Sequence, residues 1–220
     1  MRAPLALAAT CVAVSAALAL SACGGSKKSD DKIKDQGTDV STSAPAPTTT
    51  SAAPSPTAPG VKRPVITLPS DAKDVFEDEH TGDPVKDAVL ADNAGYVLAT
   101  DEGIFKGKTT ENLGFYATEK GLANAITYVQ GVHAKGLVWT GTVRFFDRKV
   151  TMEGTGDASV VYCSDESKAF PKHVKTGKVD NVATTSESYV LYSTHAKKNA
   201  QGVWQTTDIV SDRGSKQCQP

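Results

Sequence analysis

The chain is poor in aromatic residues: Phe, Trp and Tyr make up 6% of its 220 positions. A core drawing on so few large side chains is modest, or confined to part of the chain. Net charge is also lacking, with 24 basic residues against 25 acidic ones. That balance removes the electrostatic footprint of a nucleic-acid binder, so no nucleic-acid partner is expected. Histidine is scarce. His80, His133, His173 and His195 lie far apart and give no metal-ligand spacing. Phosphate loop, dinucleotide fingerprint and nucleophile elbow are all missing. Beyond the first twenty residues, no apolar run approaches the ~18 residues of a membrane span. Together these absences leave no cofactor, metal or ready-made catalytic motif to expect.

What is present begins at the N-terminus. Met1 and Arg2 form a minimal positive end, and an alanine-rich apolar stretch runs from Ala3 to Leu20. Leu20-Ser21-Ala22-Cys23 follows. A positive end, an apolar middle and small residues before a cleavage point make a secretory signal. Because cleavage falls just before a cysteine, this stretch resembles the lipobox of bacterial lipoproteins. The resemblance implies removal of residues 1–22, lipidation of the Cys23 thiol, and a protein held on the outer face of the cytoplasmic membrane. A thiol suits that chemistry because the thiolate is the sulfur nucleophile. One acyl chain anchors weakly, at about 0.8 kcal/mol per buried methylene, whereas the two of a diacylglyceryl group retain a protein stably.

Residues 23–70 read as the lipidated cysteine and a tether. Ser26 to Asp35 is charged and without apolar periodicity. Val40 to Gly60 is Ser, Thr, Ala and Pro, with prolines at 45, 47, 54, 56 and 59. Repeated proline blocks helix and favours extended polyproline II. Too little apolar surface is available to offset the entropy of ordering. The stretch from Gly24 to Ser70 would reach roughly 145 Å in polyproline II, and nearer ~40 Å as a coil. Its threonines, Thr48 to Thr50 among them, are also candidate sugar acceptors.

The four cysteines separate by fate. Cys11 leaves with the signal and Cys23 takes lipid, so Cys163 and Cys218 remain. Export puts this pair in an oxidising compartment, which predicts a Cys163–Cys218 disulfide.

Residues 71–220 read as one folded domain, with Val65, Ile66 and Leu68 extended ahead of it and Val75 and Phe76 docking on the body. Asp83 and Pro84 supply a helix cap and a first helical residue. Apolar residues recur at helical spacing from there to Gly107, a suitable stop. A short helix is predicted over Glu111–Tyr116 and a third over Glu119–Ala134, ended by Gly136. The period then changes to two. Strands are expected over Leu137–Asp147, Lys149–Glu153, Ser159–Cys163, Ser188–Thr194 and Val203–Ser211. A hairpin turn is expected at Asn199–Gly202, and an exposed polar loop from Asp165 to Thr184.

Helices followed by an antiparallel meander predict an α+β fold with the helices on one sheet face. That order resembles the nuclear transport factor two-like fold, a cone or cup in which a curved sheet wraps around helices. Thr81-Gly82-Asp83-Pro84, Lys86 to Asp92, Gly136 to Thr142, the strand with Cys163 and the terminal Cys218 also resemble a group of secreted actinobacterial lipoproteins. The resemblance implies lipobox, tether and one such domain, with no settled activity attached. Relatives of the fold include isomerases and dehydratases that use a carboxylate, tyrosine or histidine inside the cup.

Candidate pocket-lining residues are therefore Tyr96, Tyr128, His133, Trp139, Tyr192 and Asp208, with Tyr162 and Trp204 as further aromatics. Asp208 with His133 is the most reactive pairing among them. Against it, His133 sits near a helix end, where it favours the dipole, and Asp208 alternates with Ile209. No catalytic residue is assigned. Lys168, Lys172, Lys175 and Lys178 make the 165–184 segment basic, which would suit acidic wall polymers or lipid headgroups. The expected function is a membrane-anchored, non-catalytic binding module of the envelope whose partner is a protein, a wall polymer or a small apolar ligand. The alternative is a cup-type isomerase or dehydratase.

Overall fold

The computed structural model describes residues 60–220. The signal sequence, Cys23 and the tether as far as Pro59 lie outside those residues. The elements are β1 (Ala72–Phe76), α1 (Pro84–Lys106), α2 (Glu111–Tyr116), α3 (Glu119–Ala134), β2 (Leu137–Met152), β3 (Asp157–His173), β4 (Tyr189–Lys198) and β5 (Trp204–Arg213). They form an α+β domain. The helices pack on a curved, unclosed five-stranded sheet of order β1-β2-β3-β4-β5. β2 to β5 run antiparallel to one another, while β1 joins β2 in parallel, Ala72 opposite Gly141 and Phe76 opposite Phe145. No helix among the described residues is long and apolar enough to cross a membrane.

Local chemistry sets the helix bounds. The Asp83 carboxylate accepts the Val85 amide at 2.8 Å, and Pro84 occupies the first turn where no amide is needed. Gly107 closes α1 with φ of 64°, and its amide returns to the last carbonyls. α3 starts at Thr118, whose amide donates to the Thr206 carbonyl, and Gly121 lies on the backbone at Thr206–Thr207. A Cβ at Gly121 would overlap the Thr206 carbonyl oxygen, so this helix reaches β5 only through a glycine.

Three elements differ from the sequence expectation, the first being β1, a strand where Val75 and Phe76 were expected only to dock on the body. Lys149–Glu153 does not form a strand of its own, because β2 runs unbroken to Met152. A bulge between Phe146 and Lys149, with Asp147 at φ of 52°, re-aims the strand rather than ending it. The expected loop from Asp165 is strand as far as His173, paired with Leu137 to Thr142. Its lysines hid the pattern. Lys168 and Lys172 occupy strand positions opposite Thr142 and Val138, and Lys172 is held by Asp71 at 2.7 Å.

The core has two centres. Val89, Leu90, Val143, Phe145, Val160, Tyr162 and Trp204 meet between α1 and the sheet. Tyr96, Ala99, Leu113, Tyr116, Ala125 and Val203 meet between the three helices and β5. Val61 and Ile66, ahead of β1, pack against the second. Cys163 and Cys218 are bonded, with Cα atoms 5.5 Å apart and a sequence separation of 55. A loop of that size allows about 4 kcal/mol of stabilisation by chain-entropy reasoning. The bond ties the last turn, Lys216–Cys218, back to β3.

Candidate functional site

The cup interior is the sheet face turned toward α1 and α3. Alternation along β1 puts Ala72, Asp74 and Phe76 on that face, and Phe76 stacks on Phe145 with ring centroids 4.9 Å apart. Along α1, Val97, Asp101 and Phe105 follow at four-residue spacing and so share a face. Phe105 meets Trp139 of β2 at 5.3 Å. Tyr162 of β3 stacks on Tyr192 of β4 at 5.1 Å.

Within this aromatic setting, the carboxyls of Asp74 and Asp101 lie within hydrogen-bonding reach of each other. Both Asp74 oxygens are sealed from solvent and receive no donor from a base, amide or hydroxyl. Asp101 accepts the Trp139 indole N–H at 3.3 Å. No cationic side chain makes an ion pair with either group among the described residues. Burial, and then the charge of Asp101, push Asp74 up to about 9. Burial also raises Asp101, to about 6, against the hydrogen bonds from Asp74 and Trp139. At neutral pH the pair therefore holds one proton between two carboxyls.

Nearer the mouth, Arg213 of β5 grips Glu166 of β3 with two bonds, of 2.7 and 3.1 Å. Tyr128 of α3 and Tyr192 both lie within electrostatic range of that ion pair. Tyr128 is 55% exposed, whereas Tyr162 is 2% exposed. The interior thus grades from an open tyrosine rim, through the partly exposed Asp101, to the sealed oxygens of Asp74.

The residues singled out from sequence are spread over several environments. Tyr96 is buried between α1 and α3, its hydroxyl 3.5 Å from the Gly121 carbonyl. Trp139, Tyr128 and Tyr192 gather around Asp101 and Glu166. His133 is exposed and lies over Gly107 at the end of α1. Asp208 sits opposite His195 and accepts the Ile209 amide at 2.9 Å. His133 and Asp208 share no hydrogen bond or ion pair, so the pairing considered from sequence is not formed. Of the other histidines, His173 meets Asp180 at 2.8 Å, His195 meets Glu153 at 3.3 Å, and His80 lies 3.7 Å from Asp87. No group of three or more His, Cys, Asp or Glu side chains suited to a metal ion occurs among the described residues.

Sequence reasoning missed Asp74 and Asp101. A signal existed: each is a carboxylate at a position where the local period calls for an apolar residue. Two other interior polar groups were equally silent. Arg148 is 3% exposed and donates to the Leu90 carbonyl at 2.6 Å and to Asn93 at 3.3 Å. Burial lowers it to about 10. Asp92, fully buried, accepts two bonds from Arg63, of 2.6 and 2.9 Å, and one from the Trp204 amide.

Two hollows mark the described surface. One of about 100 Å³ lies among Val75, Thr142, Arg144, Asp165 and Lys168, on the sheet face turned away from α1. A wider one of about 480 Å³ lies between Lys62–Val65 and α2.

No protein-family model matches the chain, and no curated protein matches it. Among solved structures, it is similar to a ketosteroid isomerase-like protein from Erwinia carotovora atroseptica, with 15% identity over 58% of this chain and 95% of that one, TM-score 0.39. A putative ketosteroid isomerase from Shewanella frigidimarina is similar at 15% identity over 58% of this chain and 97% of that one, TM-score 0.34. A protein from Catenulispora acidiphila is similar at 11% identity over 59% of this chain and 91% of that one, TM-score 0.39. At these identities and scores the likeness brings no activity, ligand or partner to this chain.

Proposed function

We propose that this protein is a membrane-anchored extracytoplasmic lipoprotein whose α+β domain serves the cell envelope as a non-catalytic binding module. The observation that carries the anchor is Leu20-Ser21-Ala22-Cys23 at the end of an alanine-rich apolar stretch, followed by a Ser/Thr/Pro-rich tether. The non-catalytic half of the reading draws support from the interior. A general base must come within hydrogen-bond reach of the proton it removes. Both Asp74 oxygens are closed to solvent, and Asp101 is engaged by Asp74 and Trp139. Asp74 is thus withheld from a substrate, and one oxygen of Asp101 is occupied by the Trp139 indole.

One observation favours the alternative, a cup-type isomerase or dehydratase. A raised carboxyl pair beside aromatic side chains is the kind of group such chemistry employs. Soaking crystals with small cyclic ketones and enones separates the readings. A molecule seated against Asp101 would favour the enzyme, and an interior unchanged by soaking would favour the binding module. The anchor is tested by metabolic labelling with a tagged fatty acid. Wild type takes up label and partitions with membranes, and Cys23→Ala takes up none. An unlabelled wild-type protein, or a labelled C23A variant, overturns the anchor.

A further inference from the structure

β1 is an edge strand of five residues with a single strand neighbour, β2. Its other contact with the body is its inner face, where Phe76 packs on the core that includes Val89 and Leu90 of α1 and Asp74 reaches Asp101. The centre of that contact is the Asp74–Asp101 carboxyl pair. Two carboxylates in contact repel, and in a low-dielectric interior the repulsion is strong. One proton reverses the sign, because a protonated carboxyl donates to its ionised neighbour in a charge-assisted hydrogen bond. We infer that the Asp74–Asp101 pair is a proton-operated clasp: a shared proton holds β1 on α1, and loss of that proton releases this edge strand.

The groups facing the pair leave the proton as its counter-charge. From β2 comes Trp139, a neutral donor to Asp101. From β3 come Tyr162 and Glu166, and from α3 and β4 come Tyr128 and Tyr192. Arg213 of β5 and Arg148 of β2 are cations on this side of the sheet, and both are engaged: Glu166 holds Arg213 with two hydrogen bonds, while Arg148, over the Phe76 ring at 5.1 Å, donates to the Leu90 carbonyl and to Asn93. Just before β1, Asp71 is paired with Lys172. The neighbouring carboxylate on α1, Glu102, is taken by Lys106, Thr110 and Asn112.

The direction follows from linkage. Both carboxyls are raised in the folded chain, so above pH ~4 the native state holds protons that the unfolded chain has lost. Stability is therefore complete below the ordinary carboxylate range. It declines as the pH rises, first through about 6 for Asp101 and then through about 9 for Asp74. β1 is the element that gives way, since it has the fewest partners and carries the second charge. Its release opens the α1 side of the cup, where Trp139 and Phe105 lie.

The test compares the purified full-length protein with Asp74→Asn, whose amide donates to Asp101 without a proton to lose. Between pH 6 and 9 the wild-type unfolding midpoint should fall by about 3–5 °C per pH unit, and the D74N midpoint should stay nearly level. Equal slopes in the two proteins overturn the clasp. Amide exchange, corrected for its intrinsic pH dependence, locates the event. Protection across Ala72–Phe76 should fall by up to about tenfold per pH unit while β3 keeps its own. Simultaneous loss in β1 and β3 overturns a local release. If D74N fails to fold, the wild type alone decides. The chain has two tryptophans, and the Trp139 indole N–H resonance should titrate with the pair while that of Trp204, which has no partner, stays still. A Trp139 signal that does not move between pH 5 and 9.5 overturns the proposal.

Discussion

Helix α1 carries Asp92 in its first half and Asp101 in its second, and the two carboxylates are met in opposite ways. Asp92 meets a guanidinium, accepting two bonds from Arg63 and a third from the Trp204 amide. Asp101 meets another acid, Asp74, and an indole. Asp92 is fully buried and Asp101 partly exposed, yet it is the less exposed of the two that holds a full charge pair. The difference lies in what the chain brings across. At Asp92 the segment ahead of β1 folds back and supplies Arg63, flanked by Val61 and Ile66 on the core. At Asp101 the same stretch of chain, a few residues later, supplies Asp74. One half of the helix is thus fastened by fixed charge and the other by a proton. In the first the base is a guanidinium, which Asp92 raises further, so it keeps its charge throughout the neutral and alkaline range in which the second fastening changes. The second depends on pH by construction.

Removing one charged group in each half sharpens the contrast, because the expected effects have opposite signs. Arg63→Ala should cost about 3–5 kcal/mol, since it leaves Asp92 buried with an uncompensated charge. Urea unfolding measures this, and a loss below about 1 kcal/mol would show that the fastening is decorative. The same variant should loosen the segment from Val61 to Leu68, detectable as faster proteolysis there. Asp74→Val should instead stabilise the domain at pH 8, by roughly 1–3 kcal/mol, because the folded chain no longer has to keep on Asp74 a proton that the unfolded chain has lost at that pH. At pH 4.5 the gain should shrink toward zero, since both carboxyls then hold protons. A destabilised D74V protein at pH 8 would contradict the account of that half of the helix.

Much of the fold was legible because its signals are local. The Asp83-Pro84 start and Gly107 stop of α1 lie within the segment they delimit, and Asn199–Gly202 announces its hairpin in four residues. The change of period from the helices to the strands gave the α+β order. β1 was not legible as a strand, because it has five residues and its inner face carries Asp74 between Ala72 and Phe76. The second half of β3 was hidden by Lys168 and Lys172, whose pairing with β2 supplies the order that an apolar face usually supplies. The interior site failed for a different reason. Asp92 and Arg63 are 29 positions apart, and Asp74 and Asp101 nearly as far. No local pattern says which carboxylate meets a base and which meets an acid. The tyrosines and Trp139 were legible as candidates because aromatic side chains are few. What they surround was not, because it depends on which strand lies beside α1, and β1 precedes the helix and pairs in parallel.

The smallest effect comes from the residue next to Asp101 along the chain. Glu102 faces Thr110 and Asn112 at the start of α2 and is 5% exposed. Burial alone would raise its carboxyl, but Lys106 at 2.7 Å, with Thr110 and Asn112 at 2.8 Å each, outweighs burial and holds it below the ordinary value. Adjacent carboxylates on one helix are thus shifted in opposite directions, by different partners rather than by different depth. The linkage follows suit. Glu102 contributes stability that is present above the ordinary carboxylate range and is lost as the pH falls through its lowered value. Glu102→Gln should cost about 1 kcal/mol at pH 7, since the amide keeps an acceptor but loses the charge and the Lys106 pair. Its cost should diminish at acid pH, whereas the change at Asp74→Asn grows at alkaline pH. Paired unfolding curves at pH 3.5, 7 and 9 test both limbs at once. If the two variants departed from wild type in the same direction at pH 9, rather than E102Q toward lower and D74N toward higher stability, the partner-based account of these neighbouring carboxyls would fail.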